Sequence, residues 1–422
     1  MSKPLRIFLL LVAVSLFARV AVLVVFGAVV TKDSGGYTLA AINIVSGNDY
    51  FKGMEEELFL RTPGYPVFLA GIYAVAGRNN FVVALLQQVI VLMAGIFVFM
   101  AGRRAVGELP ALIGVGIFLF NPYTIAFPNF IMPEHISIFT LSASILLLLL
   151  AMQRNQPHLF FASGLLLGYH ILCKPSELLL PLVFLVPLCM NHKSLKRAVY
   201  YFLLLSLGVV LVVLPWLWYN YARTGNLGFS PLLGRNLALN VAHHTSVTLD
   251  LPASVEVDSV IQKRGNVGEA GGKWIETVSA PGIALMEAGY SHAEVDRVYL
   301  RAALKIIREK PFSYVKWQMY ELWEFWKGYD LMGVVRPPRY FHLMITTGVG
   351  LLMLPLFLLG VFSLQLNPRS MVLILTTVYF AFVIPIASHG ATRFRFPVEP
   401  YIWIYAANGL LLIFSSLRSR LE

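Results

Sequence analysis

Six charged residues sit beside long apolar runs where charge is costly: Asp33, Arg61, Glu134, Lys174, Arg393 and Arg395. Asp33 lies in Thr31-Lys32-Asp33-Ser34-Gly35-Gly36-Tyr37, directly after the first apolar run. A partly desolvated carboxylate there could take a proton from a hydroxyl or bind a cation. The same residue types also read as a helix-terminating turn. Arg61 precedes the rigid Pro63-Gly64-Tyr65-Pro66 turn, at the depth of a lipid phosphate. Its guanidinium fork suits a phosphate, and it equally suits a simple juxtamembrane anchor. Glu134, in Pro133-Glu134-His135, places a second acid just before an apolar run, where it either acts chemically or caps a helix start. Lys174-Pro175 offers a second phosphate contact or an ordinary snorkelling lysine. Arg393-Phe394-Arg395-Phe396-Pro397 adds two cations before the last apolar run.

These residues need a membrane to position them. The chain has 422 residues, 58% hydrophobic and 13% charged, with a mean hydropathy of +0.71. Soluble domains carry about 25% charged residues, so this chain lacks the polar surface that water requires. Spanning takes about 20 apolar residues, and runs of that kind cover 5–31, 81–102, 198–218, 341–364, 371–388 and 400–417. The 105–153 stretch, broken around Asn121-Pro122 and Pro133-Glu134, reads as two short spans, and 158–192, broken at Lys174-Pro175-Ser176-Glu177, as two more. The expected fold is an all-α polytopic membrane protein of about ten transmembrane helices, the first of them an uncleaved N-terminal span.

With both termini cytoplasmic, the inner ends hold Lys3/Arg6, Arg103/Arg104, Arg154, Lys193/Lys196/Arg197, Arg369 and Arg418/Arg420, the positive-inside pattern. The net charge of +11 follows the same logic, because the central 220–340 stretch is nearly balanced, with 14 basic and 12 acidic residues. The outer side then receives 32–80, the hairpin tip 121–135 and 220–340. Arg393 and Arg395 fall on this less positive side, which favours an anionic ligand. Glu55-Glu56-Glu57 reads as a solvated acidic face. Arg19 sits mid-span and is expected to pair inside the bundle.

The expected domains are a transmembrane module over 1–219 with a catalytic outer loop at 32–80, a small periplasmic α-rich domain over 220–340, and a transmembrane module over 341–422. Within the middle domain, Ser291 and Glu294 form a capping box, with Val295, Tyr299, Ala302, Ala303 and Ile306 at helical spacing and Pro311 as the stop. Tyr314 to Trp326 is aromatic but carries Lys316, Glu321 and Glu324, so an interfacial helix is expected. Leu214 to Tyr221 reads as an interfacial aromatic belt. Cys173 and Cys189 read as small buried hydrophobes.

Several classes are excluded or unsupported. Adjacent His243-His244 and the lack of paired-cysteine or His-x-x-x-His spacing leave no metal signature. No Walker loop, dinucleotide-binding glycine run or Gly-x-Ser-x-Gly elbow occurs, and the basic balance is accompanied by no nucleic-acid module.

In order along the chain, Asp33 with Tyr37, Arg61-Thr62-Pro63-Gly64-Tyr65-Pro66, Gln87, Arg103-Arg104, Asn121-Pro122, Glu134, Leu214-Pro215-Trp216 through Asn220-Tyr221, Gly225, Gly234-Arg235-Asn236-Leu237 and Arg393-Phe394-Arg395-Phe396-Pro397 resemble the GT-C superfamily of membrane glycosyltransferases. The nearest resemblance is to the bacterial branch containing protein O-mannosyltransferases and the lipid A aminoarabinose transferase. This implies an inverting transfer of sugar from a polyprenyl-phosphate donor to a glycan, lipid or protein acceptor, on the periplasmic side of a bacterial inner membrane. By the same resemblance Asp33 matches the catalytic acid of the first loop and Glu134 the second-loop acid. Arg61, Lys174, Arg393 and Arg395 are then candidates for the donor phosphate, and Tyr37, Tyr65 and Asn236 for shaping the substrate site. Many relatives carry a second acid beside the first-loop Asp; Ser34 stands there in this chain, which favours a metal-independent enzyme and leaves a divalent cation open. Two other readings compete. A polysaccharide polymerase or O-antigen ligase would place its key residues around Arg235, His243 and His244. A lipid-linked sugar transporter or flippase would show internal symmetry and midplane ionisable groups.

Overall fold

The computed structural model describes residues 3–54, 60–225, 228–230, 232–242, 244–245, 251, 280–328, 339–387 and 392–421. Glu55-Glu56-Glu57, His243 and His389 lie outside the described residues, as does much of the 220–340 segment. The described secondary structure is helical apart from one isolated bridge, Val29 to Phe130.

Each of the ten apolar segments expected from the sequence is helical. Six of the described helices are individually long and apolar enough to cross a bilayer: α1 (Lys3–Phe26), α4 (Asn80–Ala105), α7 (Glu134–Arg154), α11 (Leu195–Thr224), α17 (Pro368–Ala387) and α19 (Glu399–Leu421). A seventh is the bent pair α5 (Glu108–Phe120) and α6 (Pro122–Ala126). The remaining segments form shorter apolar helices: α8 (Pro157–Cys173), the broken α9 (Leu180–Val183) and α10 (Leu185–Asn191), and α16 (Arg339–Phe362). The 32–80 segment, expected as a loop, contains two further helices, α2 (Lys32–Val45) and α3 (Gly64–Ala76). The remaining helices are α12 (Leu233–Ala242), α13 (Ala280–Glu287), α14 (His292–Glu309), α15 (Pro311–Trp326) and the short α18 (Thr392–Arg395).

The breaks follow from local chemistry. Between α5 and α6 the chain turns by 60°, because Pro122 cannot donate to the helix above it while the Asn121 side chain accepts from the Tyr123 amide at 2.9 Å. The turn frees backbone carbonyls inside an apolar bundle, where an unsatisfied polar group is expensive. Arg19 answers this cost. Fully buried, it donates to the carbonyls of Thr124 at 2.7 Å and Leu119 at 3.4 Å, and to Gln88 Oε1 at 3.0 Å. The mid-span arginine is thus a splint for the bend.

Small residues permit close helix crossings. Gly164 on α8 and Gly208 on α11 meet so closely that a Cβ on Gly164 would fall on the Leu205 carbonyl, a close approach typical of helix pairs in lipid. In the middle segment the Ser291–Glu294 capping box opens α14 as expected. Val295, Tyr299 and Ala303 form a small separate core with Ala238 and Val241 of α12. Helix α15 starts three residues earlier than the aromatic run suggested, because Pro311 occupies its first turn with φ already suited to a helix.

Candidate active site

The N-termini of α2 and α7, the C-terminus of α8 and the short α18 converge at one end of the bundle, and they bring the charged residues together. Thr31 caps α2 in a reciprocal box: its hydroxyl accepts from the Ser34 amide at 3.3 Å and its own amide donates to Ser34 Oγ at 2.9 Å. Asp33 therefore stands in the first helical turn, where the helix dipole favours a carboxylate. Ser34 Oγ also donates to the Ile131 carbonyl at 2.9 Å, fastening α2 to the 127–131 segment. Where many relatives are expected to carry a second acid, this chain places a capping and tethering hydroxyl.

Asp33 is held by two arginines far apart in sequence. Arg61 Nη2 donates to one carboxylate oxygen at 3.0 Å and Arg393 Nη1 to the other at 2.8 Å. The carboxylate is still 37% exposed, so the pair lies at an opening rather than in the core. Burial by itself would push the Asp33 carboxyl upward. The charges and hydrogen bonds of Arg61 and Arg393 outweigh it and hold the carboxyl below its ordinary value. For both arginines burial works against the charge, and the balance is tipped toward it at Arg61 by Tyr37 and Asp33, and at Arg393 by Glu134 and Asp33.

Arg61 is positioned by its whole neighbourhood. Its guanidinium lies 4.9 Å from the Tyr37 ring centroid, and Tyr37 meets Tyr65 edge-on at 5.2 Å. The Tyr65 hydroxyl donates to Gln87 Oε1 at 2.6 Å, and Gln87 Nε2 donates to the Pro128 and Phe130 carbonyls at 2.8 and 2.9 Å. Tyr37 and Tyr65 are both buried and back the arginine. Gly64 is required by contact: a Cβ there would lie 2.5 Å from the Cys173 amide nitrogen. Its carbonyl accepts from Tyr169 at 2.8 Å, docking the Arg61 segment onto the end of α8. Tyr50, which the sequence reading passed over, donates to the Arg61 carbonyl at 3.0 Å and packs edge-on against Trp216 at 5.0 Å. The aromatic run at the end of α11 is thus partly inward-facing support, while Trp218 and Tyr221 are exposed as a belt requires.

Glu134 opens α7 and is almost wholly buried; Oε1 accepts from Lys174 Nζ at 2.7 Å. Its Oε2 has no hydrogen-bond partner among the described residues. Phe394, visible in the sequence only as part of the motif around Arg393, joins the two halves. Lys174 Nζ and the Arg393 guanidinium lie 4.7 and 4.9 Å from the centroid of its ring. The result is an alternating row, Arg61, Asp33, Arg393, Glu134 and Lys174.

Two expected site residues lie apart from this row. Arg395 is fully buried and donates to the Phe325 and Lys327 carbonyls, the latter at 2.7 Å, with Glu399 at 3.5 Å. It ties α18 to the end of α15, a task invisible in the sequence because its acceptors are backbone atoms. Asn236 sits on α12, beside Gly234 and Arg235, whose amides donate to Asp296 at 3.1 and 3.0 Å. No described hydrogen bond links Asn236 to the Asp33 row. Among the described residues no three His, Cys, Asp or Glu side chains are grouped to hold a metal ion.

Comparison with known proteins finds a family likeness over part of the chain and a fold likeness over most of it. Residues 61–219 match the family of dolichyl-phosphate-mannose-protein mannosyltransferases. The fold is similar to that of the oligosaccharyltransferase AglB from Archaeoglobus fulgidus in complex with an inhibitory peptide and a dolichol-phosphate, with a TM-score of 0.54 at 11% identity over 98% of this chain and 51% of that one. The apo form of the Archaeoglobus fulgidus oligosaccharyltransferase gives a TM-score of 0.56 at 12% identity, over 97% of this chain and 51% of that one. The protein spans about half the length of that enzyme. No curated protein sequence matches it. The segment carrying Arg61, Glu134 and Lys174 thus resembles a mannosyltransferase family, and the whole chain has a fold similar to that of the oligosaccharyltransferase.

Proposed function

We propose that the protein transfers a sugar from a polyprenyl-phosphate carrier to an acceptor hydroxyl or amine, with inversion at the anomeric carbon. In this reading the Asp33 end of the bundle faces the periplasm of a bacterial inner membrane, and both termini are cytoplasmic. The 1–219 module with its 32–80 segment carries the chemistry, the 220–340 segment meets the acceptor, and 341–422 supplies Arg393. The observation that carries the reading is the double grip of Arg61 and Arg393 on a half-open Asp33.

The row from Arg61 to Lys174 sums to one positive charge, which suits the single negative charge of a phosphodiester. A donor phosphate is a natural competitor for Arg61 and Arg393, because a guanidinium fork binds phosphate and carboxylate oxygens alike. Its arrival would take both arginines from Asp33. Burial would then dominate the carboxyl, raising it from a pinned anion to a competent base. The acceptor oxygen or nitrogen attacks the anomeric carbon and its proton passes to Asp33. The bond between that carbon and the phosphate oxygen breaks, and its electron pair leaves on the polyprenyl phosphate. Arg61, Arg393 and Lys174 offset the charge that develops there. The unpaired Oε2 of Glu134 is placed to accept a hydrogen bond from a sugar hydroxyl.

The test uses the full chain in nanodiscs with a radiolabelled polyprenyl-phosphate sugar and envelope material as acceptor. Asp33→Asn is expected to remain folded and to lose transfer by about 10²–10⁴-fold, the usual worth of a general base. Apparent affinity for the donor lipid should stay the same or tighten, because an internal competitor has gone. Full transfer by that variant would remove Asp33 from the chemistry, and weakened donor binding would remove the exchange of partners.

A further inference from the structure

The bundle has a second polar opening, about one helix length from Asp33. Helix α7 runs from Glu134 at the first site to Arg154 at the other end, and its 21 residues span roughly 30 Å. There a cavity of about 660 Å³ opens between the end of α7, the α10–α11 connection and the start of α17. Its cationic lining comes from two distant parts of the chain: Lys193 and Arg197 from one, Arg369 from the other. None of its lining residues is acidic, and none of these three cations has a salt-bridge partner among the described residues. Arg103, Arg154 and Arg369 also repel Arg104 close by.

Membrane topology accounts for cations at the ends of spans, but it does not require them to share a concave space. Other polar groups line the same space. Asn155 and Asn191 line the cavity, the Asn191 amide nitrogen donating to the Met152 carbonyl at 3.2 Å, and Asn155 is the one non-glycine residue among the described ones with positive φ, at 54°. This left-handed turn, unfavourable for most side chains, swings the chain round at the cavity wall. Ser194 stands at the N-cap of the 30-residue α11 but makes no side-chain capping bond. The Arg197 amide donates to the Ser194 carbonyl at 3.1 Å, and the Leu195 and Lys196 amides, which precede it and have no helical acceptor, lie beside the Ser194 hydroxyl with their positive partial charge. Finally His192 lines the same wall, and burial together with the charge of Arg197 lowers its pKa below the ordinary value.

We infer that this cavity binds a phosphate-bearing anionic group, gripped by Arg197, Arg369 and Lys193. Two sources share that chemistry, the headgroup of an anionic phospholipid and a soluble phosphate compound. The surroundings favour the lipid. The same helix ends present Met190, Leu195 and Val199, exposed at 44%, 69% and 38%, as an apolar rim against which acyl chains can lie. Basic pockets between membrane helices are suited to such headgroups. A bound phosphate would tie α7, α11 and α17 together and relieve the repulsion among their cations. The inference does not rest on the transferase reading, because it concerns the opposite end of the bundle.

The experiment uses the full chain in phosphatidylcholine nanodiscs, with and without phosphatidylglycerol or cardiolipin, and a parallel series with glycerol phosphate or inorganic phosphate in solution. Thermal unfolding and native mass spectrometry of co-purified lipid are read together. Anionic lipid is expected to raise the unfolding midpoint and to be retained, by mass action on the folded state. An Arg197→Gln/Arg369→Gln double variant should retain about tenfold less of it. Ser194→Asp, which puts a carboxylate at the helix start while keeping both arginines, should also weaken retention. Equal stabilisation by glycerol phosphate would assign the site to a soluble phosphate and overturn the lipid source. Stabilisation by neither series, or retention unchanged in both variants, would overturn the site itself.

Discussion

The two ends of this helical bundle carry charge in opposite styles. At the Asp33 end, acids and cations alternate, and Asp33 and Glu134 are each held at hydrogen-bond distance. At the Arg369 end, cations gather with no acid lining their cavity. The first arrangement stores its own counter-ions and can exchange them for a ligand's. The second has none to exchange and must take an anion from outside or remain in repulsion. Chemistry that has to turn over belongs to the first kind of site, and static anchoring to the second.

Substitutions at the first end should have the larger effects, in a definite order. Arg61→Ala and Arg393→Ala each remove one side of the proposed phosphate grip. Donor affinity should fall about tenfold or more, as truncation of a hydrogen-bonded charge pair costs about 2–5 kcal/mol. Substituting Lys for Arg at either position should recover little, since lysine lacks the planar fork. A concentration series of lipid donor checks this, and unchanged apparent affinity would move the phosphate elsewhere. Glu134→Gln keeps the shape and removes the charge opposite Lys174. It should lower transfer while sparing donor affinity, which separates Glu134 from the phosphate contacts.

Effects on folding come next. Gly64→Ala would place a methyl group 2.5 Å from the Cys173 amide nitrogen. A shift of backbone follows, with a loss of about 1–3 kcal/mol, typical of overpacking. Thermal unfolding should show it, and an unchanged midpoint would mean that the α3–α8 contact is loose. Tyr65→Phe deletes only the hydroxyl on Gln87 and should cost about 1 kcal/mol, the usual net worth of one hydrogen bond.

The smallest effect is in pH. Asp33 titrates below its ordinary range in the folded state, so its contribution to stability is complete above the unfolded value near 4 and is lost as pH falls through the folded one. The midpoint difference between the parent protein and Asp33→Asn should therefore be flat from about pH 5 to 8 and shrink only below about 4. A difference that shrank between pH 6 and 8 would show that the arginines do not hold the carboxylate.

The helices were readable because lipid imposes a crude rule, long apolar runs with cations at their ends, and each of the ten segments proved helical. Asp33, Arg61, Glu134, Lys174 and Arg393 were readable for the converse reason, since charge beside a span needs an explanation. What stayed hidden depends on contacts between distant segments. Ser34 looked like a missing acid, but its hydrogen bond to Ile131 makes it a tether. Arg395 looked like a phosphate ligand because it stands two residues from Arg393, yet it lies buried against Glu399 and donates to carbonyls at the end of another helix. Tyr50 had no distinguishing pattern, and Phe394 was visible only as part of the motif around Arg393, because their roles lie in whose carbonyl or whose charge they touch. The helices within 32–80 were missed since a loop was inferred from sidedness rather than from their own apolar content.

The exchange of partners at Asp33 is tested most directly by the structure of the full chain in nanodiscs with a polyprenyl phosphate bound. The phosphate is expected between Arg61 and Arg393, with Asp33 released from both and turned toward an open acceptor channel. A phosphate bound elsewhere, with both guanidiniums still on the Asp33 carboxylate, would contradict it.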